Sequence, residues 1–168
     1  DSTVEADWSL LADAGLAPPD ERSTIGEPAP HLFDYQRWIV DMAVRRERFA
    51  CFTLTGTGKT AILLDWSRLV GEQHHGRTLI VSPLNVIGQT IGEAQRFYGE
   101  SLPVADLRDR TALDRWLTDG VGIGITNYEK LEGITSALAV QAVVLDESSV
   151  LKSSMGARRT ALMRGFRG

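Results

Sequence analysis

Apolar and polar residues alternate along this chain in blocks, and the period changes from block to block. In "DYQRWIVDMAVRRER" (34–48), Tyr35, Trp38, Ile39 and Met42 recur at helical spacing, with Asp34 placed to cap the N-terminus. "FACFTL" (49–54) is a short apolar run and predicts a buried strand. "GKTAILLDWSRLVGEQ" (58–73) returns to helical period through Ile62, Leu63, Trp66, Leu69 and Val70. "TLIVSP" (78–83) predicts a strand. "LNVIGQTIGEAQRFY" (84–98) predicts a helix through Val86, Ile87, Ile91, Ala94 and Phe97, although Gly88 and Gly92 each weaken it by roughly 1 kcal/mol relative to Ala. "PVADL" (103–107) predicts a strand and "RTALDRWLTDG" a helix stopped by Gly120. "VGIGIT" (121–126) predicts a strand, "NYEKLEG" a turn with a short helix, "AVQAVVLD" (139–146) a strand, and "SSMGARRTALMRGF" a closing helix. Strands apolar on both faces that alternate with helices indicate a mainly parallel sheet covered on both sides, an α/β three-layer sandwich. Ligands of such sheets gather at the carboxyl ends of the strands.

Residues 1–30 differ from the rest. They carry seven acids and one base, include the possible short helix "WSLLADAGLA", and continue into "DERSTIGEPAP", which reads as a linker. An acidic arm (1–30) followed by one domain (31–168) is therefore expected. The chain has 168 residues, 43% hydrophobic and 24% charged, values ordinary for a soluble globular domain. No apolar run nears the roughly 20 residues of a membrane span, and the acidic start does not have the form of a signal peptide. The single cysteine, Cys51, cannot form an internal disulfide, which suits a reducing intracellular compartment; inside its apolar run it is expected to be a small core residue. Net charge is −4, but residues 31–168 carry seventeen bases against fifteen acids, and 150–168 hold five bases and no acid. A polyanion is thus permitted as a partner without being demanded. His74 and His75 have no nearby cysteine or acidic cluster and are expected to be exposed.

Two motifs carry chemistry. "TLTGTGKT" (53–60) lies between an expected strand and an expected helix, the context a phosphate-binding loop requires. Thr55, Gly56, Thr57 and Gly58 bring backbone close to phosphate oxygens, and the helix N-terminus adds free N–H groups. Lys59 reaches the β- and γ-phosphates, and the Thr60 hydroxyl can ligate Mg²⁺. Thr53 stands where the full pattern has a smaller residue. Downstream, "AVVLDESSV" ends an apolar strand in Asp146 and Glu147. An Asp at such a strand end serves the metal, and a Glu beside it can orient and deprotonate an attacking water. The bland alternative is a helix cap with an acidic first turn. A protein that only holds nucleotide needs the Asp but not the Glu.

With these motifs in hand, the chain resembles the first, RecA-like phosphate-loop NTPase lobe of superfamily 2 helicases and translocases, nearest their remodeller-like branch. "LFDYQRW" resembles the adenine-reading glutamine motif, "TLTGTGKT" motif I, "LIVSPLNVIGQT" motif Ia, "GITNYEKL" the following nucleic-acid motif and "VVLDESSVLK" motif II, in that family's order across about residues 31–164. The resemblance implies ATP and Mg²⁺ as cofactors. Gln36 would read the adenine edge, and Ser82, Pro83, Thr126, Asn127, Tyr128 and Lys152 would meet a nucleic-acid backbone, DNA being favoured over RNA. For each there is a plainer alternative: Gln36 as a polar helix residue, Ser82–Pro83 as a strand terminator, Tyr128 as a packing aromatic. The resemblance also implies a second RecA-like lobe with an arginine finger, worth roughly 10³–10⁵ in rate. Neither that lobe nor motif III is in this sequence, so weak Mg-ATP binding and very slow hydrolysis are expected of it. A non-catalytic, nucleotide-gated interaction module and an RNA helicase lobe stand as alternatives.

Overall fold

The run RTLIVS, with one short polar or β-branched residue at most between apolar ones, forms the central strand β1 (Arg77–Ser82), buried along nearly its whole length. The computed structural model describes residues 26–46, 48–53, 56–119, 122–130 and 140–147. In chain order these contain α1 (Asp34–Val44), α2 (Lys59–His74), β1, α3 (Ile87–Tyr98), a 3₁₀ turn (Gly99–Ser101), β2 (Val104–Asp106), α4 (Arg110–Asp119), β3 (Gly122–Asn127) and β4 (Ala142–Leu145). The strands form one parallel sheet in the order β2-β3-β1-β4.

Side chains alternate across this sheet and divide its core in two. On one face Ile80, Ile123, Ile125 and Val144 pack with Leu63 and Leu64 of α2 and Ile87, Ile91 and Ala94 of α3. On the other, Leu79, Val81 and Val143 pack with Leu113, Trp116 and Leu117 of α4 and with Tyr128. The result is the three-layer α/β sandwich that the alternating pattern indicates. Gly124 permits the second layer: an added Cβ would lie 2.6 Å from Leu107 Cδ1 and 2.9 Å from the Trp116 ring. The glycine of "VGIG" is therefore a packing position, where backbone and indole approach closely.

A third apolar cluster joins α1 to the outside of α2 through Ala29, Leu32, Val40, Ala61, Ile62 and Leu69. This explains why α2 is buried almost all round, including Asp65 and Ser67. Residues 26–32 thus belong to the packed body, and the linker expected up to residue 30 ends earlier. The Ala29 N–H donates to Asp65 Oδ2 (2.9 Å), Arg68 Nε and the Tyr98 hydroxyl donate to Asp65 Oδ1 (2.8 and 3.0 Å), and Arg68 also donates to Glu27 O (2.9 Å). Burial, and then the charge and hydrogen bond of Asp65, push the Tyr98 phenol above its ordinary value. Burial alone would lower the Arg68 guanidinium, but Asp65 and Glu72 together hold it above its ordinary value.

Three expectations change. Residues 49–53 form no strand: Phe52 is 93% exposed and Cys51 is exposed, not a core residue, while the Thr53 hydroxyl is buried. A strand needs a ladder partner, and residues 49–53 take none: β1 pairs with β3 and β4, and the outer edge of β4 is unpaired among the described residues. In α1 the buried positions are Gln36, Val40 and Ala43, while Tyr35 and Trp38 are exposed, so the face turned inward is rotated from the apolar stripe. Asp34 is the first helical residue, and Phe33 holds the N-cap position. His74 and His75 are exposed, as expected. The arm before residue 26, the helix expected near the C-terminus, Gly120, Thr55 and Lys152 lie outside the described residues.

Candidate nucleotide site

The loop begins from two left-handed glycines. Gly56 has φ 82° and Gly58 φ 68°, a region that a Cβ makes costly. Gly58 is also the N-cap of α2, and its carbonyl accepts the N–H groups of Ala61 and Ile62 (3.1 and 3.3 Å). Lys59 and Thr60 consequently stand in the first turn of a sixteen-residue helix, where free N–H groups and the positive end of the dipole favour an anion. Lys59 Nζ donates to Thr53 O (3.1 Å), which folds the ammonium back across the loop.

Gln36 is held against this loop. It is only 4% exposed; its Nε2 donates to Thr57 O (3.1 Å) and its Oε1 accepts the Phe33 N–H (3.0 Å). The second contact is the side-chain half of a capping box and fixes the start of α1. Each end of the amide keeps one further hydrogen-bonding position. A Cβ on Gly58 would overlap Gln36 Nε2, so the second glycine serves both its own backbone and the close approach of Gln36. Tyr35, read from sequence as part of an apolar stripe, donates its hydroxyl to the same Thr57 O (2.9 Å) while its ring stays 46% exposed. Two donors from adjacent residues of α1 therefore grip one carbonyl of the loop. The only sequence signal for Tyr35 was its position beside Gln36.

The acidic pair leaves the end of β4. Val144 packs on the α2 face of the sheet, and Thr78, also on that face, donates its hydroxyl to Ser67 O of α2 (3.2 Å). Ser82 lies four residues along β1 from Thr78, so it faces the same way. Its hydroxyl donates to Asp146 Oδ2 (2.9 Å), which puts the Asp146 carboxylate on the sheet face covered by the helix that carries Lys59 and Thr60. The Asp146 N–H donates to Val81 O (2.8 Å), and the Tyr128 hydroxyl donates to Asp146 O (2.7 Å). Glu147 follows with φ 55°, a left-handed conformation, and its side chain is exposed.

The residues expected to face nucleic acid sit differently from one another. Ser82, Thr126, Asn127 and Tyr128 are buried, while Pro83 is half-buried at the mouth of the loop after β1. Ser82 and Tyr128 bond the acidic turn, and Asn127 Nδ2 bonds Glu129. Thr126 Oγ1 and Asn127 Oδ1 are buried and have no partner among the described residues. At these strand ends the exposed side chains are Leu84, Asn85, Glu129 and Lys130.

The residues present suit a magnesium nucleotide. Mg²⁺ is bound through one or two protein oxygens together with phosphates and water, and Thr60 and Asp146 supply one hydroxyl and one carboxylate. Among the described residues no three His, Cys, Asp or Glu side chains gather into an all-protein cage, nor does such a cation require one. No known family model matches this chain, and no curated protein matches it significantly.

Proposed function

We propose that this chain is the ATP-binding lobe of a helicase or translocase of superfamily 2, coupling ATP hydrolysis to movement along nucleic acid, with DNA the favoured track. The observation that carries this reading is a phosphate-type loop, with two left-handed glycines, opening onto α2 while an Asp–Glu pair follows a parallel strand with the Asp146 carboxylate on the same face. Gly56, Thr57 and Gly58, with Thr55, wrap the phosphates in backbone N–H groups. Lys59 exchanges its carbonyl contact at Thr53 for phosphate oxygens. Thr60 and Asp146 would hold Mg²⁺, which when bound would neutralise charge developing on the phosphates. Glu147 orients the attacking water and accepts its proton. Gln36 and Tyr35 fix the loop through Thr57 O, and the remaining position on each end of the Gln36 amide is suited to an adenine edge.

One feature favours a second reading, a nucleotide-gated interaction module with little turnover. The segment entering the loop is irregular and exposed over residues 49–52, and among the described residues the loop's hydrogen bonds run to α1 and α2. Either reading gives slow hydrolysis by this chain alone. They part on nucleic acid. Fluorescence anisotropy with duplex DNA, with and without Mg-ATP, should give binding that weakens steeply with salt, is independent of sequence, and is unaffected by a competing 2′-hydroxyl. Absence of nucleic-acid binding in both nucleotide states would leave only the module. A strong preference for RNA would move the reading to an RNA helicase lobe.

A further inference from the structure

The acidic turn is held by more bonds than its position at a strand end requires. Glu147 adopts φ 55°, a left-handed conformation that is costly for a residue with a Cβ. Such a conformation persists where the surroundings over-determine it. Here three bonds hold the preceding residue, Asp146, each from a neighbouring strand or the turn after it. The Asp146 N–H goes to Val81 O, the Asp146 carbonyl accepts from Tyr128, and Asp146 Oδ2 accepts from Ser82. Both hydroxyls are deeply placed: Ser82 is fully buried and Tyr128 is 2% exposed.

We propose that Ser82 and Tyr128 are positioning residues for the acidic pair, forming a two-hydroxyl latch that orients the Asp146 carboxylate toward the metal and sets the direction of Glu147. Ser82 occupies one carboxylate oxygen and leaves the other to face the nucleotide. Tyr128 reaches from the opposite side of the sheet, where it packs with Leu79, Val81 and Trp116, and fixes the turn by its carbonyl. The latch joins the end of β1 and the turn after β3 to the end of β4. This inference rests on the proposed nucleotide site.

The test compares ATP binding with Mg²⁺ and with EDTA for the whole chain and for Tyr128→Phe, Ser82→Ala, Asp146→Asn and Lys59→Ala. Each latch variant removes one oxygen and leaves its side chain's packing in place. Partners that orient a metal ligand typically contribute about 10–100-fold to metal affinity. Tyr128→Phe and Ser82→Ala should keep metal-free ATP affinity within about twofold of the parent and lose about tenfold of the Mg²⁺-dependent gain. A purely structural role would move both affinities together. If Asp146→Asn loses the Mg²⁺ gain while both latch variants keep it, the latch is wrong and the nucleotide site stands. If the parent chain shows no binding that depends on Lys59, the nucleotide site falls and the latch falls with it.

Discussion

Asp65→Ala should lower the melting temperature by roughly 6–12 °C, the equivalent of about 3 kcal/mol in a domain of this size. Asp65 is fully buried in the middle of α2 and accepts from three separate elements: the Ala29 N–H, the Arg68 guanidinium and the Tyr98 hydroxyl. Removing one partner of a buried pair leaves the other charge uncompensated, at a cost of about 3–5 kcal/mol. The lower end applies because Arg68 keeps Glu72 and Glu27 O and its side chain is 18% exposed. The Ala29 N–H and the Tyr98 hydroxyl also lose their acceptor. Circular dichroism melts of the two proteins measure the effect. A shift under about 2 °C would mean that residues 27–32 are held by apolar packing alone and that Asp65 does not anchor them.

Gly58→Val should reduce ATP affinity on the order of 10²-fold. The left-handed backbone at φ 68° costs about 1–2 kcal/mol for a residue with a Cβ, and more for a branched one. The new Cβ overlaps Gln36 Nε2, so either the loop moves or Gln36 gives up its bonds to Thr57 O and Phe33 N, each worth about 1 kcal/mol. Gly56→Ala gives a built-in comparison. Its φ of 82° carries the same backbone penalty, but nothing lies within 4 Å of the added Cβ. Its affinity loss should be only about fivefold to thirtyfold. Equal losses for the two variants, measured by calorimetric ATP titration, would show that the contact between Gly58 and Gln36 has no part in shaping the loop.

The layers of the sheet were readable because burial on both faces leaves a plain mark: RTLIVS and GIGITN are buried almost throughout, and each is a strand within one residue of the expected bounds, whereas the half-buried AVVL begins three residues later than expected. The same rule failed on FACFTL. Apolar composition permits a strand, but pairing makes one, and which neighbour a run pairs with is not written in the run. Gln36 shows a different limit. Helical period placed Tyr35 and Trp38 inward, yet α1 turns Gln36, Val40 and Ala43 toward α2, where the loop offers the Thr57 carbonyl to the Gln36 amide. The loop and the acidic pair were legible because glycine, lysine and paired carboxylates have few other reasons to occur at those places. The roles of Ser82 and Tyr128 were not. A hydroxyl at a strand end serves a surface or a neighbouring turn equally well, and only the register that sets Ser82 beside Asp146 decides between them.

The central claim is that Lys59 and the loop before it bind the phosphates of a magnesium nucleotide. Its most direct test is a calorimetric titration of Mg-ATP into the chain and into Lys59→Ala. Weak but saturable binding by the parent, at one site per chain, with no detectable heat of binding for the variant, is the result the account predicts. Binding of equal strength by both proteins, or by neither, would contradict it.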